Sequence, residues 1–381
     1  MLVTLAACGS GSESDADPDG KPAGGSPEAA GPREDVPSAL DDRRHPDFPD
    51  PLIDPDEIVS GGPPPDGIPP IDEPKFQAAG DVDWLDDDEP VLSLTVGAET
   101  RAYPLQVMTW HEIVNDTVGD VPVAVTYCPL CNSGVAFERR AAGRLLDFGT
   151  SGQLYADNLV MYDRQTESLW PQLTGQASVG FLTGTQLKAI PMGTVGWADF
   201  RTAHPDAPVL TRDTGHDRPY GQNPYVGYDD PDGELLFDLP GPEDPRLPVK
   251  ERVVGIQGAG DSLAVRRSWI AEERVVTIMV GETDLVIWHR AGQVSVLDDE
   301  EIAGSREVGT IGVFEPRAGT RLLTFAPVAE GFRDDETGST WNVLGRAVSG
   351  PLKGEQLRPQ PHLDTFWFAW VAFQPDTRLL P

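Results

Sequence analysis

Two cysteines three positions apart, in Cys128-Pro129-Leu130-Cys131, are the residues of this chain best suited to chemistry. Such a pair closes a disulfide, exchanges it with another thiol through a thiolate of lowered pKa, or holds a soft metal ion. A zinc ribbon needs a second Cys-x-x-Cys, which the chain lacks, and attached c-type haem needs histidine at 132, where Asn132 stands. A strand followed by Cys-Pro-x-Cys also opens the thioredoxin-like motif, whose second cysteine lies in a helix. Here Asn132-Ser133-Gly134 runs straight into the strand-like Val135-Ala136-Phe137-Glu138, which argues against that fold. As a structural disulfide, so small a loop contributes only about 2 kcal/mol in the chain-entropy model. Metal site, structural disulfide and thiol redox pair all stay open.

His111 is the candidate third ligand. It lies on the apolar face of a short helix, with Met108 one turn earlier and Met161 as another thioether. Two thiolates, an imidazole and a thioether form a soft donor set suited to copper(I) and tolerable for zinc. The competing reading makes His111 a core histidine bonded to a backbone carbonyl. A second cluster of polar groups, Asp157, Asn158, Asp163, Arg164 and Ser168, sits among Leu154, Tyr155, Leu159, Met161, Tyr162 and Trp170. Asp163, Thr166, Ser168 and Trp170 recur as Asp334, Thr337, Ser339 and Trp341, far from any cysteine, so they read as a capped turn. Arg164 becomes Asp335 in the recurrence and stays a cleft candidate. Gly149-Thr150-Ser151-Gly152 is not a nucleophile elbow, and Gly255-Ile256-Gln257-Gly258-Ala259-Gly260 reads as a hairpin tip rather than a dinucleotide loop.

The elements that must position these residues are mainly strands. Val91–Val96, Val121–Tyr127, Val135–Glu138 and Leu145–Phe148 stand between Gly, Asp and Pro punctuation. Pro104 opens a helix predicted to reach Val114, and helices are predicted over Thr194–Ala203 and Asp364–Phe373, each opened by a capping Thr or Asp. The fold class expected is α+β, mostly antiparallel β. The recurrence extends through 175–187 and 345–357, so two related lobes from an internal duplication are expected, 56–215 and a degenerate 216–381. A looser alignment sets Cys128 opposite Met279 and Cys131 opposite Glu282.

Before the body, residues 9–75 hold 15 prolines and 17 acidic against 5 basic residues, so 9–55 is expected to be a disordered acidic tether. The part from Asp56 to Phe76 carries Ile58, Ile68, Ile71 and Phe76 and can lie against the body. Leu5-Ala6-Ala7-Cys8-Gly9 looks like a bacterial lipobox, which makes 1–8 the remnant of a signal peptide and Cys8 the lipidation site. This predicts an exported protein, lipid-anchored to the outer face of the cytoplasmic membrane, where a disulfide persists. A net charge of −33 over 381 residues, with no basic block, excludes nucleic acid as a partner and leaves the lipid as the only membrane contact. No other partner is assigned.

The run HEIVND (111–116), TYCPLCNSG (126–134) and FGTSGQLYADNLVMYDRQTESLWPQ (148–172) resembles a family catalogued as domain of unknown function 3179, found in exported bacterial and archaeal proteins. SGGPPPDGIPPIDEPKF (60–76), RAYPL (101–105) and FWFAWVAFQPDT (366–377) follow the same pattern. The resemblance implies no activity. The functional expectation is copper or zinc binding or thiol redox at Cys128, Cys131 and His111, with a non-catalytic binding module and a structural disulfide as the alternative.

Overall fold

Valine-rich runs separated by Gly, Asp and Pro have too few residues for long helices and fold into hairpins instead. The computed structural model describes residues 30–381. Their sheets have two to five strands, and nearly all pairings are antiparallel. The described α-helices, Leu105–His111, Trp197–Ala203, Arg267–Glu273 and Trp367–Phe373, have seven residues each. No helix among the described residues is long and apolar enough to cross a membrane.

One succession of elements occurs twice. Strands Pro90–Val96 and Glu99–Pro104 form a hairpin that enters helix Leu105–His111; Arg252–Gly258, Asp261–Arg266 and Arg267–Glu273 repeat it. Late strands flank each hairpin. Met192–Gly196 pairs with the first strand and Pro208–Leu210 runs parallel to the second, as do Leu363–Phe366 and Arg378–Leu380 in the C-terminal half. Behind each first helix one residue takes positive φ, Glu112 (59°) or Arg274 (63°), which stops the helix and turns the chain into a strand. Three-stranded meanders follow: Ile113–Val118, Val121–Cys128 and Ser133–Glu138, against Val275–Val280, Thr283–Arg290 and Thr310–Phe314.

The halves interlock. The Gly196 N–H donates to Thr310 Oγ1 at 3.0 Å, and the Phe366 N–H donates to the Cys131 carbonyl at 3.1 Å. Val294, Val296, Leu297 and Ile302 of the C-terminal half join the core around Cys128 and Cys131.

Several expected boundaries change. The first helix ends at His111 rather than Val114, because Glu112 breaks it and Val114 begins pairing with Val125. Thr194 and Asp364 are strand residues rather than caps; their helices begin at Trp197 and Trp367 without side-chain capping bonds. Asp364 accepts instead from Arg252 and Arg267, both at 3.0 Å.

The expected tether also differs over its described part. The N–H groups of Glu34 and Ala39 donate to the carbonyls of Gln165 and Glu167, and Ala39, Leu40, Phe48 and Ile53 fill a cluster with Val160, Leu169 and Val179. A few apolar anchors and backbone bonds suffice to hold an acidic stretch. The remainder of that stretch, with Cys8, lies outside the described residues. Residues 60–67 cross the strand Phe148–Tyr155 so closely that a Cβ on Gly152 (φ +70°) would stand 1.9 Å from the Pro63 carbonyl oxygen. Glycine is required there by both space and conformation.

Candidate functional site: a buried dithiol beneath the connector

Cys128 ends the strand Val121–Cys128 and pairs with Ser133, so Pro129–Asn132 is the turn of a hairpin. Asn132 takes the left-handed φ of 49° that closes it. With its amide donating to the Tyr127 hydroxyl at 3.0 Å, its oxygen accepts from Arg252 of the other half at 2.9 Å. Thr365 Oγ1 donates to the Cys131 carbonyl at 2.8 Å. The cysteine turn is thus held from both sides, within a hairpin and not at a helix start.

A second hairpin meets it. Ala156 and Asp157 both have positive φ (52° and 55°), the two-residue turn that suits the twist of antiparallel strands. Hairpin tips ordinarily face solvent, yet Asp157 and Asn158 are fully buried. Asn158 Nδ2 donates to Cys131 Sγ at 3.2 Å, the Cys131 thiol faces the Asp157 carbonyl at 3.4 Å, and the Leu159 N–H points at Cys128 Sγ at 3.5 Å. Gln172 braces the arrangement, donating to Thr126 Oγ1 at 3.0 Å and accepting from Asn158 and Ser133, each at 3.2 Å.

Both thiols are free and buried. Burial, with the Cys128 thiol beside it, pushes Cys131 well above the ordinary thiol range. Burial raises Asp157 to about 7, against the opposing effect of the Tyr228 hydroxyl, which donates to its Oδ2 at 3.0 Å. Asp157 Oδ1 has no partner among the described residues. Burial alone raises Glu112 to about 8. Glu112, Cys128 and Asp157 all act on the Tyr225 phenol, which marks them as neighbours. Tyr225, Tyr228 and Lys250 belong to the irregular connector between the halves, and the Lys250 ammonium stands 3.9 Å from the Tyr228 ring centroid.

His111 goes elsewhere. Its Nδ1 lies 2.7 Å from the Pro69 carbonyl and its Nε2 2.6 Å from the Tyr220 hydroxyl; burial lowers it to about 4. No group of three or more His, Cys, Asp or Glu among the described residues is placed to hold a metal ion. Arg164 binds Asp72 at 2.7 Å and Asp66 at 3.1 Å, clamping the lead-in segment. Asp163 caps its own turn, accepting from the Thr166 N–H at 2.7 Å and from Trp170 Nε1 at 2.9 Å. Asp334 does the same with Thr337 at 2.6 Å and Trp341 at 2.9 Å. Asp157 and Asn158 therefore meet the cysteines, whereas Asp163 and Arg164, from the same sequence cluster, do not. Glu112 carried a sequence signal only as part of the HEIVND motif, and Tyr225, Tyr228 and Lys250 carried none.

Residues 65–377 match the model of a family described as Protein of unknown function (DUF3179). The chain belongs to this family. The DUF3179 match takes in both hairpin turns of the dithiol site, the connector and the C-terminal half. Comparison with curated proteins and with solved structures gives no match.

Proposed function

We propose that this DUF3179 protein exchanges thiols for disulfides at Cys128 and Cys131, with Asp157 as the proton carrier. The observation that carries the reading is the buried tip Asp157-Asn158, which sets an amide donor on Cys131 Sγ and a carboxyl with an unpartnered oxygen beside it. In the reaction Cys128 attacks a disulfide of a partner, giving a mixed disulfide and one partner thiol. Asp157 then takes the Cys131 proton, and Cys131 closes onto Cys128 and releases the second partner thiol. The chain loses two electrons and two protons, and the partner gains both. Tyr225 and Tyr228 must lift away for a partner to reach sulfurs this buried.

The soft-metal reading, copper or zinc, finds less support, since both nitrogens of His111 are engaged by Pro69 and Tyr220. With Cys8 as the lipidation site, exchange takes place on the outer face of the cytoplasmic membrane. We further propose that the two halves arose by duplication and that only the first kept the thiols.

The test is alkylation and mass spectrometry across a series of glutathione buffers. Reversible closure with a midpoint above about −300 mV supports exchange; a lower midpoint indicates a structural disulfide. Failure to close, or a metal-sized mass lost on denaturation, overturns the reading. Asp157→Asn is expected to remove a step near pH 7 from the closure rate.

A further inference from the structure

A cavity of about 450 Å³ opens between the halves, and none of its lining residues is acidic or basic apart from His362, in a chain whose net charge is −33. One wall is the strand Ser133–Glu138 that follows the cysteine turn; the other is formed by Arg252–Gly258 and helix Trp367–Phe373. His362 is held neutral by burial, with Nδ1 directed at the Gln360 carbonyl at 2.9 Å. Neither cysteine lines the cavity.

Five glutamines face this space. Gln186 is a strut, its amide donating to the carbonyls of Thr174, Gly175 and Leu187. The side-chain amides of Gln176, Gln257, Gln360 and Gln374 have no partner among the described residues. Each offers two donors and an acceptor. Between them lie Phe137, Leu173, Ile190 and Phe373. Gly255 lets the helix lie close on the strand within that second wall: a Cβ there would stand 2.2 Å from the Trp370 ring.

We propose that this cavity binds a neutral saccharide of about two rings. An uncharged lining provides no counter-charge for an ionic ligand, whose desolvation would go uncompensated. Free amides match vicinal hydroxyls, which donate and accept at adjacent positions, and the apolar side chains match the C–H face of a pyranose. The volume lies within the range of small-molecule sites.

The experiment is calorimetric titration of the full chain with maltose, cellobiose and N,N′-diacetylchitobiose, beside glucuronic acid and glucosamine as charged comparators. At least one neutral disaccharide is expected to bind one-to-one and more tightly than either charged sugar. Gln257→Leu and Gln374→Leu, both partly or fully exposed and outside any hydrogen-bond network, should each lower affinity about tenfold with unchanged thermal melting. Ala189→Phe, at the exposed mouth, should block binding. The proposal is overturned if no neutral disaccharide binds, if the glutamine variants bind as the parent does, or if a capped neutral tripeptide binds where the sugars do not.

Discussion

The two halves share a frame and differ in what they bury inside it. Each has a hairpin, a seven-residue helix, a meander and an Asp-Thr-Ser-Trp turn in the same order. In the first half, four residues join the second and third meander strands and carry Cys131, directly after Cys128 at the strand end; in the second, residues 291–309 make that connection and enter the first half's core. Where Glu112 terminates the first helix, Arg274 terminates its counterpart and donates to the Val328 carbonyl at 3.0 Å. Hydrogen-bonded turns and apolar sheets can be repeated without chemistry, because packing alone specifies them. Titratable groups under cover impose a cost on folding, and only the first half has the thiols and raised carboxyls together.

Replacing the shared tryptophans tests the common frame most severely. Trp170→Ala and Trp341→Ala each empty a fully buried site and take the indole donor from the carboxylate of Asp163 or Asp334. Each is expected to cost about 3–5 kcal/mol in urea unfolding. A small loss in only one variant would show that the turn supports just one half.

The raised carboxyls sharpen the contrast through pH. Glu112 and Asp157 titrate near 8 and 7, above their ordinary values of 4.5 and 3.8. The folded state therefore binds more protons than the unfolded, so their contribution is fully present below about pH 4 and is lost as pH rises through 7 and 8. His111, lowered to about 4, acts in the opposite sense as pH falls below 6.5. Comparing parent with Glu112→Gln/Asp157→Asn isolates the carboxyls. Between pH 5 and 8 the parent should lose about 6 kcal/mol more stability than the variant, the sum of the two linkage contributions. Equal losses would remove these acids from the buried cluster.

The smallest effect concerns Arg164, which has Asp335 in its place in the second half. Arg164→Ala loses a half-exposed clamp to Asp66 and Asp72, worth about 1 kcal/mol or less after solvent screening. Faster limited proteolysis within residues 60–76, with thiol exchange unchanged, is the expected outcome. Impaired exchange would return Arg164 to the reacting groups.

Of the four strand runs, Leu145–Phe148 instead spans the break between Arg144–Leu145 and Phe148–Tyr155. The other three, the hairpin setting of Cys128 and Cys131 and the Asp163 and Asp334 turns were all legible, because each depends on neighbours close in sequence. The loose repeat alignment was not: it set Cys128 opposite Met279, whereas the shared order of elements matches strand Val121–Cys128 with Thr283–Arg290. Alternation has period two, so it cannot distinguish one hairpin strand from the next. His111 was expected within a helix running on to Val114 and instead ends it, and the groups it meets, Pro69 and Tyr220, come from distant segments. The acidic stretch before residue 56 misled through composition, which averages over the few apolar anchors that hold its described part.

By itself the sequence determined the family, the antiparallel character and the cysteine hairpin, since turn residues and short apolar runs act locally. Only the tertiary structure decided that Asp157 and Asn158 reach the thiols, that His111 does not, and that uncharged amides line one cavity between the halves. Those outcomes depend on where two hairpin tips and a long connector come to rest, and burial sets the proton affinities of Cys131, Asp157 and Glu112 only once they are there.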